Sequence, residues 1–142
     1  MREIVAPPAY ATACFLHSQA TASALQNAQL SLNLGELRSV STLQTAWQHL
    51  IASHRLLRSG FSKSSSGETV QRIAESGEPS WVVHDWKDVA LAEIPARWNA
   101  MLEADAAKPF DPANPPLLRF QAIELPGGHC HQLVSFPKLL FD

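Results

Sequence analysis

The sequence predicts an α/β fold of the α+β type, in which a small, mostly antiparallel sheet carries two main helices packed on one face. Residues 28–34 alternate apolar and polar side chains, which is the period of a half-buried strand. Residues 41–54 repeat apolar side chains at helical spacing, and tight turns join several short strands further along the chain. Elements that each have one apolar face must bury it against one another, which favours a single layered domain.

Length, composition and charge limit the classes of function. The chain has 142 residues, of which 46% are hydrophobic and 17% charged, as expected of one globular domain spanning residues 1–142. The formal net charge is −2 and no Lys/Arg-rich run occurs, which argues against nucleic acid or a membrane surface as partner. No apolar stretch approaches the ~18 residues that span a bilayer, and no signal-peptide pattern opens the sequence, so we expect a cytoplasmic protein. Cys14 and Cys130 belong to no CxxC pair and are expected to be reduced thiols.

Helical periodicity marks two main helices and one shorter candidate. In the first main helix, Ser41 and Gln44 have the spacing of a capping box. Its apolar stripe comprises Leu43, Ala46, Trp47, Leu50, Ile51 and His54. In the second, residues 91–107, Pro95 fits the first turn, and the stripe comprises Leu91, Ile94, Trp98, Met101 and Leu102. The Ala-rich residues 9–19 fit a short helix.

The strands are predicted from alternation and from turn residues. The strand 28–34 is expected to end at Gly35, with its three leucines on one side. Ser- and Gly-rich residues 64–67 and the Pro-Gly-Gly turn at 126–128 each join two strands, which favours antiparallel pairing. The other predicted strands cover residues 57–61, 69–73, 81–84, 117–125 and 130–136.

Two segments carry a resemblance to a known family. His54 to Phe61, with the sequence HRLLRSGF, resembles the H-E-x-L-R-T-x-F segment of non-ribosomal peptide synthetase condensation domains. Lys108 to Asp111, followed by Pro116 to Arg119, resembles the P-F-D-L … P-L-L-R segment of the same domains. The order and spacing of these and weaker matches agree over most of the chain. The residues that carry the resemblance as structural motif positions are His54, Arg58, Phe110, Asp111 and Arg119.

The resemblance implies a chloramphenicol acetyltransferase-like half-lobe, namely the N-terminal lobe of a two-lobed domain without the second lobe. The family's catalytic motif, His-His-x-x-x-Asp-Gly, ends the first lobe. In this sequence Pro137 stands for the first histidine, Lys138 for the second and Asp142 for the aspartate. The motif is therefore degenerate, and we assign no catalytic, cofactor-binding or metal-binding residue to this segment.

The substitution at position 138 changes the available chemistry. The resemblance implies that the second histidine lies beside the amine that attacks a thioester, and positions that amine, takes its proton or stabilises the developing charge. Imidazole suits this work because its unperturbed pKa of ~6.5 permits proton exchange near neutral pH. A lysine, with a reference pKa of ~10.4, is an ammonium that donates hydrogen bonds but cannot accept a proton. Deep burial of Lys138 is the one route back to base catalysis, because it depresses a lysine pKa.

The resemblance also sets the expected function and partners. We expect a non-catalytic, truncated condensation-like domain of a non-ribosomal peptide synthetase, with a structural role beside an adenylation domain of the same polypeptide. The strand 130–136 and the spacer Leu139 to Phe141 are expected to present an unpaired edge and apolar side chains, which a partner or a second copy would cover. Phosphopantetheine is expected on a carrier domain of the parent synthetase. The alternatives are a fragment of an active, amide-bond-forming condensation domain and a carrier-protein docking module.

Several residues have a second interpretation. His129 and His131 share one strand face as a metal pair would, but a polar strand start after a turn is favoured. Arg58 and Arg119 are candidates for binding a phosphopantetheine phosphate, although ion pairs or hydrogen bonds to loop carbonyls are favoured. His54 is favoured as a helix-end residue over a catalytic one. The tryptophans of the two helical stripes are favoured as core residues.

Overall fold

A computed structural model describes residues 3–21, 25–36 and 39–141 of the chain. These residues contain three α-helices and seven strands, joined in places by short 3-10 turns. The helices are α1 (Ala9–Thr21), α2 (Val40–Ser53) and α3 (Ile94–Ala106). The strands are β1 (Glu3–Val5), β2 (Asn27–Glu36), β3 (Ser59–Lys63), β4 (Thr69–Ile73), β5 (Ser80–Asp85), β6 (Arg119–Glu124) and β7 (His129–Pro137).

The strands form two sheets. The smaller sheet has the order β1-β4-β3 and is antiparallel throughout. The larger has the order β2-β7-β6-β5, in which only the β5–β6 pair is parallel. The α/β class and the mostly antiparallel pairing are therefore confirmed. The parallel pair arises because α3 connects β5 to β6, and a helical crossover returns the chain in the same direction.

The two main helices lie on opposite faces of the larger sheet, so the prediction that both pack on one face is wrong. Trp47 of α2 packs against Phe120 of β6, with ring centroids 4.6 Å apart. Met101 of α3 belongs to a second cluster with Ile123 and Leu133. Residues 120 and 123 point to opposite faces because side chains alternate along a strand. An apolar stripe shows that a helix is buried on one side but not which sheet face it covers.

The boundaries of α2 and α3 differ from the predicted ones. Ser39 is the N-cap of α2, and its Oγ accepts a hydrogen bond from the Ser41 backbone N–H at 3.2 Å. The predicted capping box at Ser41 is therefore wrong, because the helix begins at Val40. Leu91 lies in a 3-10 turn before α3 and is 74% exposed, so it does not belong to the buried stripe. Pro95 lies in the first turn of α3, as predicted.

The Pro-rich segment 108–116 packs closely against the smaller sheet. The Phe61 backbone N–H donates to the Pro112 carbonyl at 2.7 Å. A Cβ at Gly60 would lie 2.8 Å from Cδ of Pro115, closer than van der Waals contact permits. Glycine is therefore required at position 60 by this close approach of the two segments. Within the described ranges, no helix is long and apolar enough to cross a membrane.

Candidate functional site

Pro137 and Lys138, which the sequence resemblance aligns with the family's motif, lie at the end of β7 and just after it. Pro137 is the last residue of that strand, lies opposite Asn27 of β2 and is almost wholly buried. Lys138 follows in a 3-10 turn, and its backbone N–H donates to the Gln26 carbonyl at 2.8 Å. Its side chain is exposed, with Nζ 3.4 Å from Oε1 of Gln26. Asp142, the third motif position, lies outside the described residues.

A cavity of about 430 Å³ adjoins the motif. One wall is a face of α1 that includes Tyr10, Cys14 and His17, three residues at helical spacing. Leu25 and Gln26 form the second side, and Lys138 and Leu139 the third. Lys138 therefore lines a space that is large enough for a small organic molecule.

The position of Lys138 bears on proton transfer. The route to base catalysis through deep burial requires a lysine removed from water, whereas the Lys138 side chain is exposed. The proline beside it carries no polar side-chain atom and no backbone donor. Of the pair, only the Lys138 side chain can donate hydrogen bonds.

A cluster of polar side chains surrounds the buried carboxylate of Asp105. The sequence interpretation missed this residue. Asp105 is on α3 and only 3% exposed. Its Oδ1 lies 3.2 Å from Nε of Arg119 on β6, and its Oδ2 accepts from Gln29 of β2 at 2.9 Å and from the Ser135 hydroxyl of β7. Gln121 donates to Oδ1 at 3.4 Å. One carboxylate thus connects α3 to three neighbouring strands.

The pKa of Asp105 reflects these contacts. Burial raises the pKa of its carboxyl, because the charged form loses water. Hydrogen bonds from Ser135 and Gln29, together with the positive charge of Arg119, lower it by more, so the net pKa is below the ordinary value. A signal was present in the sequence: Asp105 lies one helical turn after Met101 on the predicted stripe. A carboxylate at such a position needs partners, since a buried unpaired charge is very costly.

Arg119 contacts the chain around it at many points. Its Nη2 donates to the Asp105 carbonyl at 2.9 Å and to the Lys108 carbonyl at 3.1 Å. Its guanidinium carbon lies 4.1 Å from the ring centroid of Phe110, a cation–π distance. Asp111 closes the adjacent turn, accepting from the Ala113 backbone N–H at 3.0 Å. These contacts hold the Pro-rich segment to the larger sheet and support structural roles for these three motif residues.

Arg58 and His54 lie where α2 leads into the smaller sheet. Arg58 Nε donates to the Ile51 carbonyl at 3.0 Å, and its Nη1 donates to the carbonyls of Ala74 and Glu75. His54 is the C-cap of α2, with Nδ1 3.0 Å from the Leu50 carbonyl. Both side chains therefore bind backbone carbonyls, as the structural interpretation expects.

The remaining candidates are the two histidines of β7, the two cysteines and the helix tryptophans. His131 packs edge-on against Trp98, with ring centroids 5.8 Å apart, and His129 is exposed at the start of β7. Cys130 is buried and Cys14 half-buried, and both are free thiols. No group of three or more His, Cys, Asp or Glu side chains in the described part of the chain is placed to hold a metal ion. Trp47 packs into the core and donates from Nε1 to Oε1 of Gln132 at 3.0 Å.

The predicted exposed edge is wrong. β7 lies between β2 and β6 and is paired on both sides, so it presents no open edge. Leu139 and Leu140 are each only 3% exposed, whereas Phe141 is 38% exposed. The two leucines belong to the main core cluster, which includes residues of α1 and α2. Of the three spacer residues that were expected to be exposed, only Phe141 faces solvent. The open edges of the larger sheet, in the described residues, are β2 and β5.

Comparison with known proteins identifies relatives. The family model described as "Condensation domain" matches residues 11–142. One of the linear gramicidin synthase proteins of Brevibacillus parabrevis is 31% identical over 115 residues, which are 80% of this chain and 2% of that protein. The chain therefore spans a very small share of the curated relative's length.

Solved structures share the fold at low sequence identity. The first condensation domain of the calcium-dependent antibiotic synthetase, in complex with a substrate analogue, has a TM-score of 0.85 at 13% identity. The match covers 95% of this chain and 32% of the chain in that structure. A holo four-domain non-ribosomal peptide synthetase bound to AMP and glycine has a TM-score of 0.74 at 17% identity. The match covers 100% of this chain and 11% of the synthetase chain.

Proposed function

The chain belongs to the condensation domain family of non-ribosomal peptide synthetases, and from this membership we propose that it is a non-catalytic member with a structural role beside a neighbouring domain. The observation that carries the proposal is the pair Pro137–Lys138, which the sequence resemblance aligns with the family's two motif histidines. Proline supplies no hydrogen-bonding side chain, and the Lys138 side chain is exposed. A lysine in water is an ammonium, which donates hydrogen bonds and lacks the proton-exchange chemistry of an imidazole near neutral pH.

The interaction role is supported by an apolar groove of about 250 Å³ on the α2 face of the larger sheet. Every residue that lines it is apolar, and among them Leu30 is 46% and Phe141 38% exposed. Leu30 also lies on β2, an open edge of the sheet in the described residues. Exposed apolar side chains beside an unpaired edge favour coverage by other protein. This surface replaces the one that the sequence predicted around β7.

The proposed partner is an adenylation domain of the same polypeptide. The four-domain synthetase that shares this fold was solved with AMP and glycine bound, so a condensation-type fold and a nucleotide site occur together in that protein. We propose no cofactor for this segment itself. Phosphopantetheine enters the proposal only as the arm of a carrier domain elsewhere in the synthetase.

A turnover assay tests the loss of catalysis. Donor and acceptor carrier proteins loaded with aminoacyl thioesters are mixed with the chain, alone and within the longest polypeptide that contains it, and amide product is detected by mass spectrometry. We expect no product above the level without protein. Product that disappears in Lys138→Ala supports the alternative of an active condensation domain, and it contradicts the proposal.

A binding assay tests the interaction role. The chain is titrated with the adenylation domain of its polypeptide, and Leu30→Ser is compared with Leu91→Ser, since both leucines are exposed but only Leu30 lines the groove. Weakening in Leu30→Ser alone supports the groove as the contact surface. Equal affinity of both variants contradicts it. Chemical-shift changes confined to one patch upon addition of a pantetheinylated carrier would instead favour the docking-module alternative.

A further inference from the structure

The cavity beside Lys138 is lined by apolar, polar and cationic side chains, and the proposed structural role gives it no ligand. Its volume of about 430 Å³ lies in the range of sites for small molecules. The apolar part of its wall includes Ala13, Leu25 and Leu139, and the polar part includes Tyr10 and His17. Lys138 contributes the cation. Among the described residues, no carboxylate lines the cavity beside this cation.

Lys138 has spare capacity to bind a ligand. An ammonium has three N–H donors, and within the described part of the chain Nζ makes one long hydrogen bond, of 3.4 Å, to Gln26. Across residues 3–21, 25–36 and 39–141, no Asp or Glu side chain forms an ion pair with it. The backbone on either side is fixed, because the Lys138 N–H binds the Gln26 carbonyl and Leu139 is buried in the core. The Cα atom of Lys138 is therefore held at a defined position in the cavity wall.

We propose that this cavity binds a small organic carboxylate, with the carboxylate group on Lys138 and an apolar body against Leu25 and Leu139. One ammonium balances one negative charge, which favours a monoanionic carboxylate over a doubly charged phosphate. A cationic ligand would be repelled by Lys138, and a neutral hydroxyl would accept a hydrogen bond without balancing the charge of the ammonium. Charge-assisted hydrogen bonds are roughly twice as strong as neutral ones, so the carboxylate is the preferred head group.

Three probes with the same apolar body separate the head groups: 4-phenylbutyrate, 4-phenylbutanol and 4-phenylbutylamine. Each is titrated at low ionic strength into the ¹⁵N-labelled 142-residue chain, followed by NMR. We expect the butyrate to bind about fivefold tighter than the alcohol, and the amine to bind most weakly. The shifted amides should cluster at residues 10–18, 25–26 and 138–139. Equal affinity for butyrate and amine, or shifts confined to another surface, would overturn the proposal.

Variants test whether Lys138 causes the preference for the carboxylate. Lys138→Met keeps the length of the stem and removes the charge, and it should weaken the butyrate about tenfold while leaving the alcohol within about twofold. Lys63→Met, which neutralises another exposed lysine, on β3, should change neither affinity. An unchanged preference for butyrate in Lys138→Met contradicts the assignment. Ala13→Leu, which narrows the cavity, provides a second test and should weaken all three probes alike; unaltered binding in this variant excludes the cavity.

The inference does not depend on the proposed absence of condensation activity. Its assays contain no carrier protein and no thioester, so they measure binding alone. A failure to bind carboxylates would leave the structural role intact, whereas detection of amide product would leave the binding result unchanged.

Discussion

Replacing Asp105 with asparagine tests the buried cluster that joins α3 to the larger sheet. The two carboxylate oxygens of Asp105 accept from Arg119, Gln121, Gln29 and Ser135. An asparagine keeps the shape but has one acceptor oxygen, so its NH₂ group must face two of these donors. It also leaves the guanidinium of Arg119, whose side chain is 16% exposed, without its counter-charge.

The size of the effect follows from these losses. Removal of one partner of a buried ion pair costs about 3–5 kcal/mol, and the retained oxygen recovers part of that. We therefore expect Asp105→Asn to lower the free energy of unfolding by about 2–4 kcal/mol. That is a large share of the roughly 5–15 kcal/mol that stabilises a typical domain. The midpoint of urea unfolding should fall by about 1–2 M.

Urea unfolding followed by circular dichroism measures the loss, and Glu103→Gln supplies the matched control. Glu103 lies on the same helix with an exposed side chain, so its variant should change the stability by less than about 0.5 kcal/mol. If Asp105→Asn loses no more stability than Glu103→Gln, the account of a carboxylate that ties four elements together is wrong.

The pH dependence provides an independent check on the same residue. The pKa of Asp105 is lowered in the folded protein, so its stabilisation is fully present above the ordinary aspartate pKa of ~3.9. It is lost as the pH falls from there through the lower folded pKa, because the proton then binds the unfolded state more readily. Over that acidic window the stability of Asp105→Asn should fall less steeply than that of the unaltered protein. Parallel curves would contradict the assignment.

The remaining predictions concern the core and the thiols. Gly60→Ala should destabilise the fold by about 1–3 kcal/mol in thermal unfolding, because its Cβ would clash with the Pro-rich segment; an unchanged Tm would refute the close approach. Trp47→Phe leaves the buried side chain of Gln132 without its donor and should cost about 1–3 kcal/mol. Pairing it with Gln132→Leu should restore part of that loss, and strictly additive losses would count against the pair. Burial and a nearby carboxylate raise the pKa of the Cys130 thiol, so the half-buried Cys14 should react first with a disulfide reagent. Cys14→Ser should therefore abolish the fast phase of thiol modification, and a fast phase that remains would contradict this order.

The sequence was sufficient to predict the elements whose patterns are local. The alternation of residues 28–34 and the stripe of α2 each correspond to an observed element, because side-chain periodicity is set by the backbone geometry of the segment itself. The capping box was misplaced by two residues, since several serines near the start of α2 could serve as the cap. Ser39, which does so, precedes the first residue of the apolar stripe by four positions.

Features that depend on distant residues could not be predicted in this way. The partners of Asp105 are 14 residues away at Arg119, 30 at Ser135 and 76 at Gln29, and no local pattern relates them. The opposite faces of α2 and α3 depend likewise on the order of strands in the sheet. The central place of β7, which overturned the predicted open edge, follows from its pairing with β2, about 100 residues earlier in the chain.

The most direct test of the central claim moves the Pro–Lys pair of residues 137 and 138 into an active relative. In a condensation domain that forms amide bonds, the two motif histidines are replaced by proline and lysine, and single-turnover rates are measured with loaded carriers. General acid–base catalysis contributes about 10²–10⁴-fold, so we expect the rate to fall by at least about a hundredfold. A grafted domain that retains a rate within tenfold of the original would contradict the account.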